Sequence, residues 1–288
     1  MLPTPKKKFG QHFLHDENVA MRIVRAVPET EKFVIEIGVG LGALTDHLIE
    51  GGRRVVAVEY DRELIPVLRE RFAGRENFRL IEANALEIDF CSLVPPGAQA
   101  CVVANLPYNI GTAILTRLIE QRVCIGEMVL MLQREVVERI TAAPSEPKKK
   151  GNESGERGFI SVFVEAYCET EVLFDVPPGA FSPPPKVWST VVRLRPRPKI
   201  EIGVADEKLL WQIVSAGFAQ RRKTIHNNLR SALSPLRERI EQLDDGATGL
   251  LNVAGVDTTR RAETLTLDEW GSIANALSRL SALTVRDA

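Results

Sequence analysis

The feature that most constrains this chain is the stretch Phe33-Val34-Ile35-Glu36-Ile37-Gly38-Val39-Gly40-Leu41-Gly42-Ala43-Leu44-Thr45, an apolar run leading through three alternating glycines into a helical pattern. So short an apolar run, closed by a glycine turn, reads as a buried strand, and the helix that follows offers unpaired backbone N–H groups in its first turn. Glycines at 38, 40 and 42 let the backbone turn tightly and approach a ligand with no Cβ in the way. The next run, Val55-Val56-Ala57-Val58, ends on Glu59. That is about 20 positions past the first glycine, where a carboxylate accepts hydrogen bonds from ribose hydroxyls. The pattern points to a nucleotide-like cofactor, with ordinary strand-to-helix glycines as the bland alternative. Because the spacing is Gly-x-Gly-x-Gly, NAD, FAD and S-adenosylmethionine all stay open on this evidence.

Strand and helix patterns alternate through the first two thirds of the chain, which predicts a parallel sheet with right-handed crossovers. Strands are expected at 78–83, 100–104, 127–132, 160–166 and 190–194, with a helix at 133–142 and a flexible loop from Pro144 to Gly158. From Lys199 the pattern is helical, at 209–218, 224–233, 237–243 and 267–280. With 288 residues available, two domains are expected, an α/β domain over 1–197 and a helical one over 198–288, parted near Pro196-Arg197-Pro198.

Hydrophobic content of 44% and no apolar run long enough for a bilayer argue for a cytoplasmic protein without a membrane partner, and the N-terminus lacks the apolar core of a secretory signal. Cys91, Cys101, Cys124 and Cys168 are widely spaced with no C-x-x-C pair, so packing is expected of them, not disulfides or zinc. His12, His15, His47 and His226 form no ligand cluster, and no metal is expected. A net charge of −1 gives no global sign of a nucleic-acid partner. Local clusters, namely Lys6-Lys7-Lys8, Lys148-Lys149-Lys150, and Lys186, Arg193, Arg195, Arg197, Arg221, Arg222, Lys223 and Arg230, form a phosphate-binding stripe if folding brings several onto one face, and scattered solvated charges if it does not. A helix running from Arg222 to Leu233 would set Arg222, His226 and Arg230 on one face and Ile225, Leu229 and Leu233 on another.

A second signal, Asn105-Leu106-Pro107-Tyr108, follows a strand and falls on the same sheet edge as the glycine turn, Glu59 and Asn84. It suits methylation of an exocyclic amine. The N6 lone pair of adenine is delocalised and weakly nucleophilic, and an Asn105 amide oxygen with the Leu106 carbonyl can accept both amino hydrogens and aim that lone pair at a sulfonium methyl. Pro107 stiffens the turn, and Tyr108 can stack on the base with Phe181, held in a proline-rich loop, on its other face. A proline turn with a packing tyrosine is the plain alternative.

Phe9 to Leu14, Glu36 to Gly42, Glu59, Asn105 to Tyr108, Val176 to Val187, Phe218 to Leu229 and Arg260 to Leu265 together resemble the bacterial small-subunit ribosomal RNA adenine dimethyltransferases along nearly the whole chain. The resemblance implies a Rossmann-like class I methyltransferase sheet with a smaller all-helical C-terminal domain. It also implies transfer of four methyl groups from S-adenosyl-L-methionine to two neighbouring adenosines in the 3′-terminal hairpin of 16S rRNA. Its substrate would be the small ribosomal subunit or its precursor, and a monomer is expected. By the same resemblance His12, Leu14, Gly38, Glu59 and Asn105 contact the cofactor; Gln11, Glu36, Gly40 and Asn84 are expected to line its site with them, and Arg221, Arg222, Lys223 and Arg230 of the basic cluster are expected to contact RNA.

Three departures stand out, one of them a loop from Pro144 to Gly158 longer than is typical. Asn84 replaces the usual Asp, which implies weaker cofactor binding without loss of activity, and Trp188 stands where an acidic residue is common. A large-subunit rRNA adenine methyltransferase of the antibiotic-resistance type resembles the catalytic half. The runs Phe218 to Lys223 and Arg260 to Leu265 favour the small-subunit enzyme. A ribosome-assembly factor, with binding primary and methylation secondary, is the reading from another class.

Overall fold

The computed structural model describes residues 4–6, 10–144 and 157–284. Lys7, Lys8, Phe9, the Lys148-Lys149-Lys150 cluster and most of the expected loop from Pro144 to Gly158 lie outside the described residues. The chain divides into two units. One holds residues up to Val137 together with Cys168–Pro198, and the other holds Glu138–Tyr167 with everything from Lys199 onward.

The first unit begins with β1 (Phe13–Leu14), α1 (Glu17–Ala26), β2 (Phe33–Ile37), α2 (Ala43–Glu50), β3 (Arg54–Glu59), α3 (Leu64–Arg71) and β4 (Phe78–Glu82). It continues with β5 (Ala100–Asn105), α4 (Gly111–Glu120), β6 (Ile125–Gln133) and the start of α5 (Arg134–Ile140). After α6 (Phe159–Tyr167), which belongs to the second unit, β7 (Cys168–Val176), β8 (Phe181–Ser182) and β9 (Ser189–Pro196) complete it. Asp16 caps α1 by accepting from the Val19 N–H at 3.1 Å.

Seven strands form one sheet in the order β4-β3-β2-β5-β6-β9-β7. The first five run parallel, as alternation with helices demands. The expectation of an all-parallel sheet fails at β9, which is antiparallel to both β6 and β7. Its cause is local: β7 and β9 are joined by the proline-rich loop and not by a crossover helix, so the strand must return the other way. Strand order reverses between β3 and β5 on either side of β2, and ligands in open α/β sheets bind at the carboxyl ends beside such a switch.

The segment expected as a strand at 160–166 is helix α6 instead. An apolar run buried on almost every side has no period to betray its geometry, and β-branched residues bias the reading toward strand. Phe163 and Tyr167 on α6 pack edge-on or tilted against Trp211, whose Nε1 donates to the Tyr167 hydroxyl at 2.9 Å. The pattern also missed β7, an edge strand with mostly exposed side chains and little alternation.

The helical unit adds α7 (Glu207–Gly217), α8 (Ile225–Arg230), α9 (Leu236–Glu241), α10 (Gly246–Val253) and α11 (Leu267–Thr284). Trp270 of α11 is fully buried in it, close enough to Gly217 that a Cβ there would lie 2.4 Å from the indole. Only glycine permits that approach.

The cysteines also depart from expectation. Cys91 and Cys124 are joined in a disulfide, their Cα atoms 5.4 Å apart, while Cys101 and Cys168 are buried thiols. Short helical turns at Phe90–Leu93 and Arg122–Cys124 bring the pair together. A separation of 33 residues carries no spacing signal that sequence could show. Among the described residues no group of His, Cys, Asp or Glu is arranged to hold a metal, and no helix is long and apolar enough to cross a membrane.

Candidate active site

A cavity of about 280 Å³ opens at the carboxyl ends of β2, β3 and β5. Gly38, Gly40 and Gly42 all have positive φ, at 73°, 58° and 89°. A Cβ on Gly40 would meet the Phe13 ring at 3.2 Å, so the cradle exists because glycine stands there. Glu59 ends β3 on the cavity wall. Its Oε1 accepts from the Tyr60 and Asp61 N–H groups, each at 2.8 Å, and its Oε2 from the Gly40 N–H at 3.2 Å. A carboxylate has about four acceptor positions, which leaves one for a ribose hydroxyl. Burial raises its pKa, and these three backbone bonds work against that rise.

The segment around β1 crosses the cavity as a strap. Gln11 donates through Nε2 to Asp61 Oδ2 at 3.0 Å and accepts the Lys6 N–H through Oε1, and Lys6 Nζ reaches Asp61 Oδ1 at 2.5 Å. Burial pushes the Asp61 carboxyl up, but hydrogen bonds from Lys6, Gln11 and the Glu63 N–H hold it below the usual carboxylate range. At the other end His12 donates from Nδ1 to the Pro183 carbonyl at 2.6 Å, and β1 pairs with β8 through Phe13↔Ser182 and Leu14↔Phe181. Gln11, His12 and Leu14 line the cavity together with Glu36, Gly38, Gly40, Glu59, Asn84 and Asn105. Asn84 Oδ1 accepts from the Leu86 N–H at 3.0 Å while its amide nitrogen donates to Glu87.

Asn105 closes β5. Its Nδ2 donates to the His12 carbonyl at 3.2 Å. That oxygen can only accept, so the amide has one orientation and Oδ1 faces the other way, with no donor among the described residues. Leu106 is buried and its N–H is taken by the Met131 carbonyl at 3.1 Å, which fixes the peptide plane that follows. Tyr108 is held by a 2.7 Å hydroxyl bond to Ser189 Oγ and stacks near His12, ring centroids 5.2 Å apart. Burial raises its phenol pKa, with the Ser189 bond opposing.

A family model for ribosomal RNA adenine dimethylase matches residues 3–272. The chain belongs to this family. It is 42% identical over 276 residues to a ribosomal RNA small subunit methyltransferase A from Pseudomonas aeruginosa, covering 96% of this chain and 95% of that protein. A namesake from Hahella chejuensis is 40% identical over 271 residues, covering 94% and 92%. Among solved structures, the 23S rRNA methyltransferase ErmE superposes with a TM-score of 0.64 at 25% identity, over 92% of this chain and 99% of that one. A dimethyladenosine transferase from Plasmodium falciparum shares the fold with a TM-score of 0.69 at 21% identity, over 91% and 96%.

Against the dimethylase pattern, three sequence expectations need correction. Phe181 does not face a base opposite Tyr108. Its side chain is 2% exposed and belongs to the buried core that also holds Phe13 and Leu14, and the ring found beside Tyr108 is His12. Nor does Arg222 lie on a helix with His226 and Arg230. Thr224 accepts the Asn227 N–H and starts α8 at Ile225, which leaves Arg221, Arg222 and Lys223 on the exposed turn before it. Ile225 and Leu229 are buried as expected, but Leu233 lies beyond the helix and is 86% exposed. Finally, Arg193 and Arg195 are not free for phosphate, since both bind Glu127 and Glu171 within the sheet.

Proposed function

We propose that this dimethylase transfers methyl groups from S-adenosyl-L-methionine to N6 of two adjacent adenosines in the 3′-terminal hairpin of 16S rRNA, acting on the small ribosomal subunit or its precursor. The observation that carries the reading is the unoccupied Asn105 Oδ1, held in one orientation by the His12 carbonyl at the end of β5.

The residues present fit such a cofactor. Gly40 supplies backbone where a Cβ would intrude, Glu59 keeps an acceptor position, and Asn84 lines the cavity with an oxygen that can take one more hydrogen bond. When bound, S-adenosyl-L-methionine supplies a methyl group on a positively charged sulfur. Asn105 Oδ1 and the Leu106 carbonyl accept the two hydrogens of the adenine amine and draw its lone pair out of conjugation. Tyr108, tethered to Ser189, gives the base a flat surface. No strong base is required, because the amine turns acidic only once it carries the new methyl and water then takes the proton. The protein's contribution is alignment and fixed dipoles.

Likeness to ErmE favours a large-subunit target as the second reading, but 25% identity there stands against 40–42% to the small-subunit relatives. Incubating the protein with labelled cofactor and unmethylated small or large subunits, then mapping the modified nucleotides, separates the two. In the same assay Asn105→Ala should lower turnover about 100-fold, the scale of losing one aligned polar group, while particle binding persists. Undiminished turnover in that variant would remove Asn105 from the mechanism.

A further inference from the structure

Trp188 is the most exposed of the three tryptophans, at 44%, whereas Trp270 is fully buried and Trp211 packs among Phe159, Phe163 and Tyr167. An indole so placed is costly in water unless something covers it. It is also held firmly. Its carbonyl accepts the Arg134 N–H at 2.9 Å, and the Arg134 guanidinium lies 4.8 Å from its ring centroid. Arg134 is anchored in turn by a 2.7 Å bond to Asp175, whose other oxygen accepts from the Thr190 hydroxyl at 2.6 Å. One face of the ring thus carries a cation, and no aromatic or cationic group covers the other among the described residues.

Its position relates it to the reaction site. The next residue, Ser189, holds the Tyr108 hydroxyl, and Arg134 directly follows β6, whose Met131 pairs with Asn105. Lys186 and Val187 beside it are also exposed. A rigid exposed aromatic backed by arginine, with a lysine two residues away, is the combination by which proteins grip single-stranded nucleic acid: bases stack on the ring while cations meet the phosphates.

We propose that Trp188 is a stacking platform for an unpaired base neighbouring the target adenosine, with Lys186 facing the adjoining phosphate and Arg134, held by Asp175, bracing the ring from its other face. This rests on the function proposed above. A hairpin loop supplies such bases already unstacked, so holding one beside the site fixes the register in which its neighbour enters.

The test compares wild-type protein with Trp188→Ala and Trp188→Phe. On unmethylated small subunits Trp188→Ala should raise KM about tenfold with kcat and cofactor Kd nearly unchanged, and Trp188→Phe should restore most of the loss. Indole emission should be quenched by an RNA hairpin with two adjacent unpaired adenosines, not by inorganic polyphosphate, and Trp188→Phe should abolish that quench. An unchanged KM, no rescue by Phe, or equal quenching by polyphosphate overturns the platform. A KM effect on whole subunits without hairpin quenching would mark a ribosomal-protein contact and likewise overturn it. Were wild-type protein inactive on small subunits, the function above would fall and the hairpin quench alone would decide the platform.

Discussion

Glu36 shows how much a single residue can hold against its own chemistry. It is buried in β2 with its Oε2 accepting from the Thr45 hydroxyl at 2.7 Å. Burial above all, with nearby Glu59 and Asp46 adding to it and the Thr45 bond opposing, pushes its carboxyl from 4.5 up to about 8. It is therefore neutral in the folded protein at pH 7, whereas in the unfolded chain it is ionised. The sign follows: the unfolded state releases this proton first, so stability from this group is complete below pH 4.5 and declines as pH climbs toward about 8. Glu36→Gln cannot ionise. Its unfolding free energy from urea titration should match the wild type in acid and exceed it increasingly up to about pH 8, by a few kcal/mol at most. Parallel free energies across that range would show that Glu36 stays charged. At this scale the sequence was readable in placing Gly40, Glu59 and Asn105 along one sheet edge, where they line a single cavity. It was unreadable at Phe181, whose burial depends on β8 meeting a strand from the far end of the chain.

Elements were legible where period and punctuation agree. The β2 to β5 strands and α1 through α4 follow from apolar runs, glycines and an Asp16 cap, and the cavity at their carboxyl ends follows from their order. Legibility stopped where a contact distant in sequence decides the outcome. Helix α6 is helical because it packs on α7, and β7 is a strand because β9 gives it a partner. The Cys91–Cys124 disulfide belongs to the same class, tying the turn at Phe90–Leu93 to the turn at Arg122–Cys124 that follows α4. Closing a loop across 33 residues stabilises a fold by about 4 kcal/mol through the unfolded chain. Thermal unfolding of the oxidised protein should therefore lie several degrees above that of the reduced one, and a Cys91→Ser, Cys124→Ser variant should match the reduced protein with or without reductant. A reductant effect that survives in the double variant would place the sensitivity elsewhere.

On the scale of the whole molecule, one boundary near Pro198 describes where the C-terminal helices begin, yet 138–167 also belongs to the helical unit, so the two units are interleaved in the chain. Composition could not show this, because a buried helix and a buried strand use the same apolar residues. The basic groups sort differently too. Arg193 and Arg195 brace the sheet, while Arg221, Arg222, Lys223 and Arg230 of the helical unit are exposed and enter no ion pair among the described residues. The turn bearing the first three is set from beneath by buried Asn228, whose Nδ2 donates to the Gly217 and Gln220 carbonyls at 2.6 and 3.2 Å. Charges presented on so fixed a turn suit phosphates, and contacts of that kind release counterions. Replacing Arg221, Arg222 and Lys223 with Ser should weaken small-subunit binding about tenfold near physiological salt and make the plot of log affinity against log salt shallower by about 2. Cofactor affinity should hold, since the cavity around Gly40 and Glu59 belongs to the other unit. A salt slope identical to wild type would exclude these three side chains from RNA contact, and a parallel loss of cofactor affinity would mean the substitutions had disturbed the fold instead.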